Sequence, residues 1–434
     1  MTVPYLKTAL HGALPELEAL IIKAMPRIEH WLRGQWQNHK APFYASVDLR
    51  NSGFKLAPVD TNLFPGGFNN LNEDFLPLCV QAAMHAVEKI CPHARGALLI
   101  PENHTRNTFY LQNVATLRTI LRQAGMNVRI GSLLPEIGAP TRVETGNGQG
   151  LTLEPLVRRG DRLMVDDFDP CVVLLNNDLS SGIPAILQGL NQVVLPPLHA
   201  GWATRRKSRH FAAYDRVVEE FAALAGIDPW LINPYFSTCG QINFQERRGE
   251  DCLAGYVDEM LRDIGEKYRE YGIDQEPFVI VKADAGTYGM GIMTVKSSED
   301  VRGLNRKQRN KMAVVKEGLE VTEVLVQEGV YTFEHINDAV AEPVVYMIDH
   351  FVVGGFYRVH TGRGIDENLN APGMHFVPLA FENPCTAPDP DAAPGCPPNR
   401  FYSYGVIARL ALLAASIELE ATAPKNVETP ATVQ

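Results

Sequence analysis

The stretch VKADAGTYGMGIMTVK (Val281–Lys296) sets an apolar run ending on Lys282 ahead of Ala285, Gly286, Gly289 and Gly291, after which a second apolar run begins. It reads as strand, loop, strand. Glycines let a loop turn its N–H groups inward, and clustered amides cradle an anion without side-chain bulk. No GKS or GKT follows the glycines, and no GxGxxG turn opens a helix, so two familiar phosphate-binding loops are disfavoured. A plain β-hairpin would use the same glycines. Lys282 tips the reading, because a lysine on the strand before such a loop reaches phosphates as a point charge.

Two later segments supply companions. VLVQEGV (Val324–Val330) is an apolar strand ending on Gln327, Glu328, Gly329 and Val330, groups that can face an adenine and a ribose. FYRVHTGRGIDENLNAPGMHF (Phe356–Phe376) gathers Arg358, His360, Arg363, Asp366, Glu367, Asn368 and Asn370 before a Pro-Gly turn. Hard oxygen ligands in such a cluster suit Mg²⁺ held on phosphates. A solvated loop has the same composition.

The chain has 434 residues, 45% of them hydrophobic and 21% charged, which is enough for two or three cores. A net charge of -10 argues against nucleic acid as a partner. The seven cysteines are scattered without CxxC spacing, so neither a disulfide framework nor a zinc site is indicated. A reducing cytoplasm is the expected compartment. The most apolar late stretch, VIARLALLAASI, is about half a membrane span and carries Arg409.

Residues 1–92 read as helices around the irregular stretch SVDLRNSGFKLAPVDTNLFPGGFNNL (Ser46–Leu71), too rich in Asn, Gly and Pro for a plain strand. Residues 93–198 alternate short apolar runs with amphipathic helices, the pattern of a parallel sheet. Its loops PENHTRN and NNDLSSG fall at strand ends, where such sheets bind ligands. Residues 199–420 form an α+β unit with VVGG (Val352–Gly355) as a hairpin turn, and residues 421–434 read as a disordered tail. The proline-rich loop with Cys385 and Cys396 could hold a redox pair or two exposed thiols.

The lysine and glycine loop, the strand end and the oxygen-rich cluster, in this order, resemble the ATP-grasp superfamily of carboxylate-amine ligases. TRRKSRHFAAYDRVVEEFAALAGIDPW (Thr204–Trp230) looks like that superfamily's opening lysine, helix and turn, with Lys207 at the lysine position. Ser46–Leu71 together with Val281–Lys296 is similar to the proteobacterial glutamate-cysteine ligase family, and the resemblance runs to Tyr404. It implies an ATP-grasp fold, α/β and α+β, behind an N-terminal helical and polar segment and a Rossmann-like pre-ATP-grasp domain. It implies ATP and Mg²⁺ as cofactors, glutamate and cysteine as substrates, and γ-glutamylcysteine as product, formed through an acyl phosphate. Glutathione synthetase, another γ-glutamyl-amine ligase and a non-catalytic nucleotide-binding regulator are the alternatives. No nucleic acid or membrane partner is expected, and oligomeric state is left open.

The resemblance also distributes roles. Lys207, Lys282, Ala285, Gly286, Tyr288, Gly289 and Gly291 would hold phosphates, and Gln327, Glu328 and Val330 the adenine and ribose. Lys282 and Arg358 would be catalytic. The ENLNAPG segment departs from the family's ExNxxPG spacing; Glu367, Asn368 and Asn370 are the expected metal ligands, with Glu342, Asp349 and Glu382 as competitors. A zwitterionic substrate needs a guanidinium for its carboxylate and oxygens for its ammonium. Arg50, Asp60, Asn62, Asn69, Asn70 and Arg106 are the candidates, while His104 is left out as a solvated loop histidine.

Overall fold

The computed structural model describes residues 5–10, 15–90, 95–286, 291–314, 320–382 and 399–424. In chain order its main elements begin with α1 (Glu16–Lys23), α2 (Met25–Asn38), the strands β1 (Tyr44–Asn51) and β2 (Leu56–Asn62), and α3 (Leu76–Ile90). Next come β3 (Gly96–Pro101), α4 (Thr108–Gln123), β4 (Asn127–Ser132), β5 (Thr141–Glu144), β6 (Gly150–Pro155), β7 (Val172–Asn176) and β8 (Val193–Leu195). Then follow α5 (Lys207–Ala225), β9 (Phe236–Gly240), α6 (Glu250–Glu270), β10 (Val279–Ala283), β11 (Ile292–Val295) and β12 (Glu323–Glu328). The chain closes with β13 (Ala339–Ile348), β14 (Phe351–His360), β15 (His375–Pro378) and α7 (Phe401–Thr422).

The alternating segment builds a sheet in the order β8-β7-β3-β4-β6-β5, parallel except for the edge pair β5 and β6. Strands β3 and β7 are buried along their whole length, as parallel strands covered on both faces must be. Asn107 starts α4 by accepting a hydrogen bond from the Tyr110 N–H at 3.1 Å. Two antiparallel sheets follow, one in the order β9-β12-β10-β11 and one in the order β15-β14-β13-β1-β2.

Two expectations change. The irregular stretch after Ser46 is a β-hairpin, with Asn51–Lys55 as its turn and Gly53 at φ +84°. Its Asn and Pro are tolerated because a register shift between Asp48 and Leu49 breaks the ladder locally. β1 pairs with β13, so the N-terminal hairpin completes a sheet built from the far end of the chain. Second, Val352–Gly355 lies inside β14, and the chain reverses at Asp349–His350, where Asp349 adopts φ +50°. Glycine in the strand answers a packing need: a Cβ on Gly355 would sit 2.5 Å from the Val344 carbonyl oxygen.

The apolar late stretch is α7, buried from Tyr404 through Ser416 except for Arg409, and packed on α5 and the β1–β2 hairpin. Arg409 escapes the core by pairing with the Glu29 carboxylate at 2.7 Å. Among the described residues no helix is long and apolar enough to cross a membrane. The helix runs past Glu420 to Thr422; residues 425–434 of the expected tail, and Cys385 and Cys396, lie outside the described residues.

Candidate active site

The two antiparallel sheets face each other across a cleft lined by residues of both. β1 and β2 contribute Asp48, Arg50, Val59 and Asp60; α5 contributes Lys207 at its first residue. The strands β10, β11 and β12 contribute Ile280, Lys282, Ala283, Ile292, Gln327 and Glu328; β13 and β14 contribute Glu342 and Arg358. Gly286, Val330, Asn368 and Asn370 complete the wall. Residues drawn from sequence segments more than 300 positions apart thus converge on one space.

Both lysines are buried; Lys207 bonds Gly286 at the start of the glycine loop, and Lys282 bonds β12 and the N-terminal hairpin. Lys282 Nζ donates to Gln327 Oε1 at 2.7 Å and to the Val59 carbonyl at 2.8 Å. Burial first, and the neighbouring Lys207 charge besides, push its pKa down to about 8 against the pull of Asp60. Lys207 Nζ donates to the Gly286 carbonyl at 2.5 Å and lies 3.9 Å from the centre of the Trp202 ring. Asp284 fixes the approach to the loop by accepting from the Ser208 amide and hydroxyl, each at 2.7 Å. Gly286 takes φ +93° and Gly291 φ +62°, left-handed conformations that favour glycine.

Opposite the lysines sits a carboxylate–guanidinium cluster. Arg358 Nη1 donates to Asp48 at 2.8 Å and Glu342 at 2.6 Å, while Arg50 Nε donates to Glu342 at 2.9 Å. Burial alone would raise Glu342, but Arg50 and Arg358 outweigh it and hold its carboxyl low. Asp48 goes the other way: burial and the Glu342 charge lift it above the ordinary range despite Arg358. Asp60 is held low, since Lys207, Lys282 and Arg205 overcome its burial.

Two buried donors in this cleft have no partner among the described residues, Arg358 Nε and Gln327 Nε2. Each such donor costs about 1–3 kcal/mol until something accepts from it. The donor set fits a polyanion: two lysines and two guanidiniums line one space. It also fits a hard divalent cation, because the under-neutralised Asp48 carboxylate, Glu342 and the Asn368 and Asn370 amides are all oxygen ligands.

The model of the family described as glutamate-cysteine ligase matches residues 18–419. The chain belongs to the glutamate-cysteine ligase family. Its activity is the ligation of glutamate to cysteine, giving γ-glutamylcysteine. It is similar to a protein provisionally named gamma-glutamylcysteine synthetase from Methylobacillus flagellatus KT, with 72% identity and a TM-score of 0.87 over 97% of this chain and 100% of that one. A glutathione synthetase-like effector from Globodera pallida in its apo form is 11% identical, with a TM-score of 0.40 over 86% and 84% of the two chains. D-alanyl-alanine synthetase A from Vibrio cholerae is 10% identical, with a TM-score of 0.32 over 73% and 81%. No curated protein matches the chain.

Several residues expected in the ligase's site lie elsewhere. Asn62 accepts from the Phe64 amide at 2.9 Å in a local turn, and Asn69 and Asn70 bond each other in the short turn after Gly67. These amides are absorbed by loop geometry and do not line the cleft. Arg106 is exposed, and it lines neither the cleft nor the second cavity, of about 290 Å³, that Glu102, Asn103, His104, Asn177 and Ser180 form at the ends of β3 and β7. Glu367 turns outward to Arg363 and the Gly364 amide, both at 2.7 Å. Asp349 leaves the cleft altogether, at the far end of β13. Arg50 lines the cleft, yet each guanidinium nitrogen already serves the fold: Nε on Glu342, Nη1 on the Val330 carbonyl and Nη2 on the Glu367 carbonyl. Ala285 and Gly291 flank the loop without lining the cleft. Tyr288, Gly289 and the Glu382 side chain lie outside the described residues.

Glu328 reaches the cleft, but its carboxylate points into a closed cage. It pairs with Lys55 at 2.8 Å and accepts from Trp230 Nε1 at 3.1 Å and the Tyr235 amide at 2.9 Å. Burial drives Lys55 down to about 8 even so. Sequence reasoning missed Asp48 as a residue lining the cleft and Lys55 as the partner that anchors the end of β12. The Asp48-x-Arg50 alternation was a usable signal, since residues two apart on a strand share a face.

Proposed function

We propose that the ligase uses ATP and Mg²⁺ in this cleft, activating the γ-carboxylate of glutamate as an acyl phosphate that the amine of cysteine then attacks. The observation that carries the reading is the convergence of Lys207, Lys282 and Arg358 on one space with Gly286, the end of β12 and the oxygen ligands. In fold terms the antiparallel pair of sheets, residues 199–420 joined by the N-terminal hairpin, is the ATP-grasp unit. The parallel sheet of residues 93–198 is the Rossmann-like domain ahead of it.

Amide formation from a free carboxylate is uphill in water, so phosphoryl transfer must come first. The protein's contribution is placement and charge neutralisation. Lys207 and Lys282 neutralise the triphosphate from the side of the glycine loop. The apolar faces of Val59, Ile280, Ala283 and Ile292 take the base, with backbone groups from Gln327 to Val330 reading its edge. The free Nε of Arg358 donates to the transferred phosphoryl group, while Asp48 and Glu342 aim the guanidinium. Arg50 positions Glu342 and the Glu367 loop. Asp48 and Glu342, with Asn368 and Asn370, would hold Mg²⁺, which supplies Lewis-acid neutralisation of phosphate oxygens. The glycine loop excludes water from the activated carboxylate.

The test is ADP release and product formation with ATP, glutamate and a panel of amines. The reading requires ADP formation that depends on glutamate, is strongest with cysteine and stops when Mg²⁺ is chelated. Ligation without ADP formation would refute it.

A further inference from the structure

Asp349, displaced from the cleft, belongs to a cluster of its own. It stands where β13 turns into β14, seven residues beyond Glu342 on an extended strand, hence roughly 23 Å along it. His350 follows it in the turn, and His85 reaches it from α3. One ligand atom from each of His85, Asp349 and His350 lies within 4.8 Å of the others. Asp349 Oδ1 is 3.1 Å from His350 Nδ1, and Oδ2 is 3.5 Å from His85 Nε2. Aromatic rings wall the group: Trp36 stacks on His350 at 5.7 Å, and Phe351 lies 4.1 Å from the His350 ring and 5.3 Å from that of His85.

We infer that His85, Asp349 and His350 form a binding site for a borderline divalent transition-metal cation, of the Zn²⁺, Co²⁺ or Ni²⁺ type, separate from the nucleotide cleft. Two imidazoles and one carboxylate are a donor set that such ions prefer and that Mg²⁺ does not. A tetrahedral ion with ligands at about 2.1 Å needs donor atoms roughly 3.4 Å apart, so the widest pair of the cluster must close by up to about 1.4 Å. The His85 side chain is 43% exposed and free to supply that motion. Asp349 is buried and held by its amide bond to the Phe43 carbonyl at 2.9 Å, which makes it the fixed ligand. Lys89, one helical turn after His85, now donates to Asp349 Oδ2 at 2.7 Å with its side chain 48% exposed. It is a built-in competitor that the ion displaces toward solvent. Bound, the ion would tie α3 to the β13–β14 turn.

The experiment titrates the chelator-stripped full-length protein with Co²⁺, following its visible absorption, and repeats the titration with Zn²⁺ by calorimetry. The site predicts one equivalent that a saturating excess of Mg²⁺, which occupies the cleft's oxygen ligands, does not displace, with a spectrum free of thiolate-to-metal charge transfer, which separates it from the exposed Cys252. Affinity drops at least tenfold in His85→Ala and in His350→Ala and rises in Lys89→Met, where the competing ammonium is gone. The Lys89 variant keeps every proposed ligand, so it tests the site even where a histidine variant folds poorly. Stoichiometry and affinity unchanged in His85→Ala/His350→Ala, or no tightening in Lys89→Met, would overturn the inference. Chelated Mg²⁺ and ADP release play no part in this readout, so its failure leaves the reading of the cleft standing.

Discussion

Replacing Lys282 by methionine separates a ligand-binding lysine from a structural one. The charged amine sits in a buried cleft, with burial pushing its pKa down to about 8 from the ordinary 10.5. At 1.36 kcal/mol per unit, the protein carries about 3 kcal/mol of unfavourable free energy to keep that charge in the ligand-free state. A methionine removes the burden and leaves Gln327 Oε1 and the Val59 carbonyl short of a donor, which costs about 1–3 kcal/mol each. The two effects largely offset, so denaturant unfolding should place Lys282→Met within about 3 kcal/mol of the wild type. Ligation should fall at least about a hundredfold, the scale of one lost electrostatic donor to a transition state. The wild-type profile adds a check with a defined sign. The free amine is charged below pH 8 and neutral above it, so kcat/KM for ATP should fall as pH rises through about 8, and the variant should lack that limb. Near-normal ligation by Lys282→Met, or an activity loss that simply tracks unfolding, would refute the role.

Other outcomes follow from the same structure. Asp48→Asn should raise the Mg²⁺ concentration for half-maximal ADP release by about tenfold or more, as loss of a metal-orienting oxygen does; an unchanged Mg²⁺ titration would exclude Asp48. Glu334 is buried and held up to about 7, by burial first, although the Tyr357 and Tyr404 hydroxyls donate to it. Its folded pKa lies above the unfolded value, so it contributes stability below pH 4.5 that is lost as pH rises to 7, about 3 kcal/mol in all. Urea unfolding of Glu334→Gln across that window should lack this slope. Gly329→Ala would put a Cβ 2.1 Å from the Phe278 ring, and thermal melting should show a loss of about 1–3 kcal/mol, with a raised KM for ATP because the end of β12 must shift.

The amino-acid sequence alone determined the local facts. The glycine loop behind Lys282, the apolar strand ending at Gln327, the Arg358 strand and the alternating pattern of residues 93–198 are each written in adjacent residues, where period and turn chemistry act over a few positions. Side-chain direction is a different matter. Glu367 and Asn368 are neighbours with the same oxygen chemistry, yet one turns to Arg363 and the other to the cleft, and only packed backbone decides which. Glu328 reads as a nucleotide contact until Lys55, over 270 positions away, encloses its carboxylate. Asp48 joins the site because β1 pairs with β13, a register fixed by which faces can be buried and by nothing near Ser46 in the chain. The same pairing carries Asp349 away from the cleft and beside His85. Elements follow from short-range rules, whereas the membership of a site follows from long-range burial, which no single segment encodes.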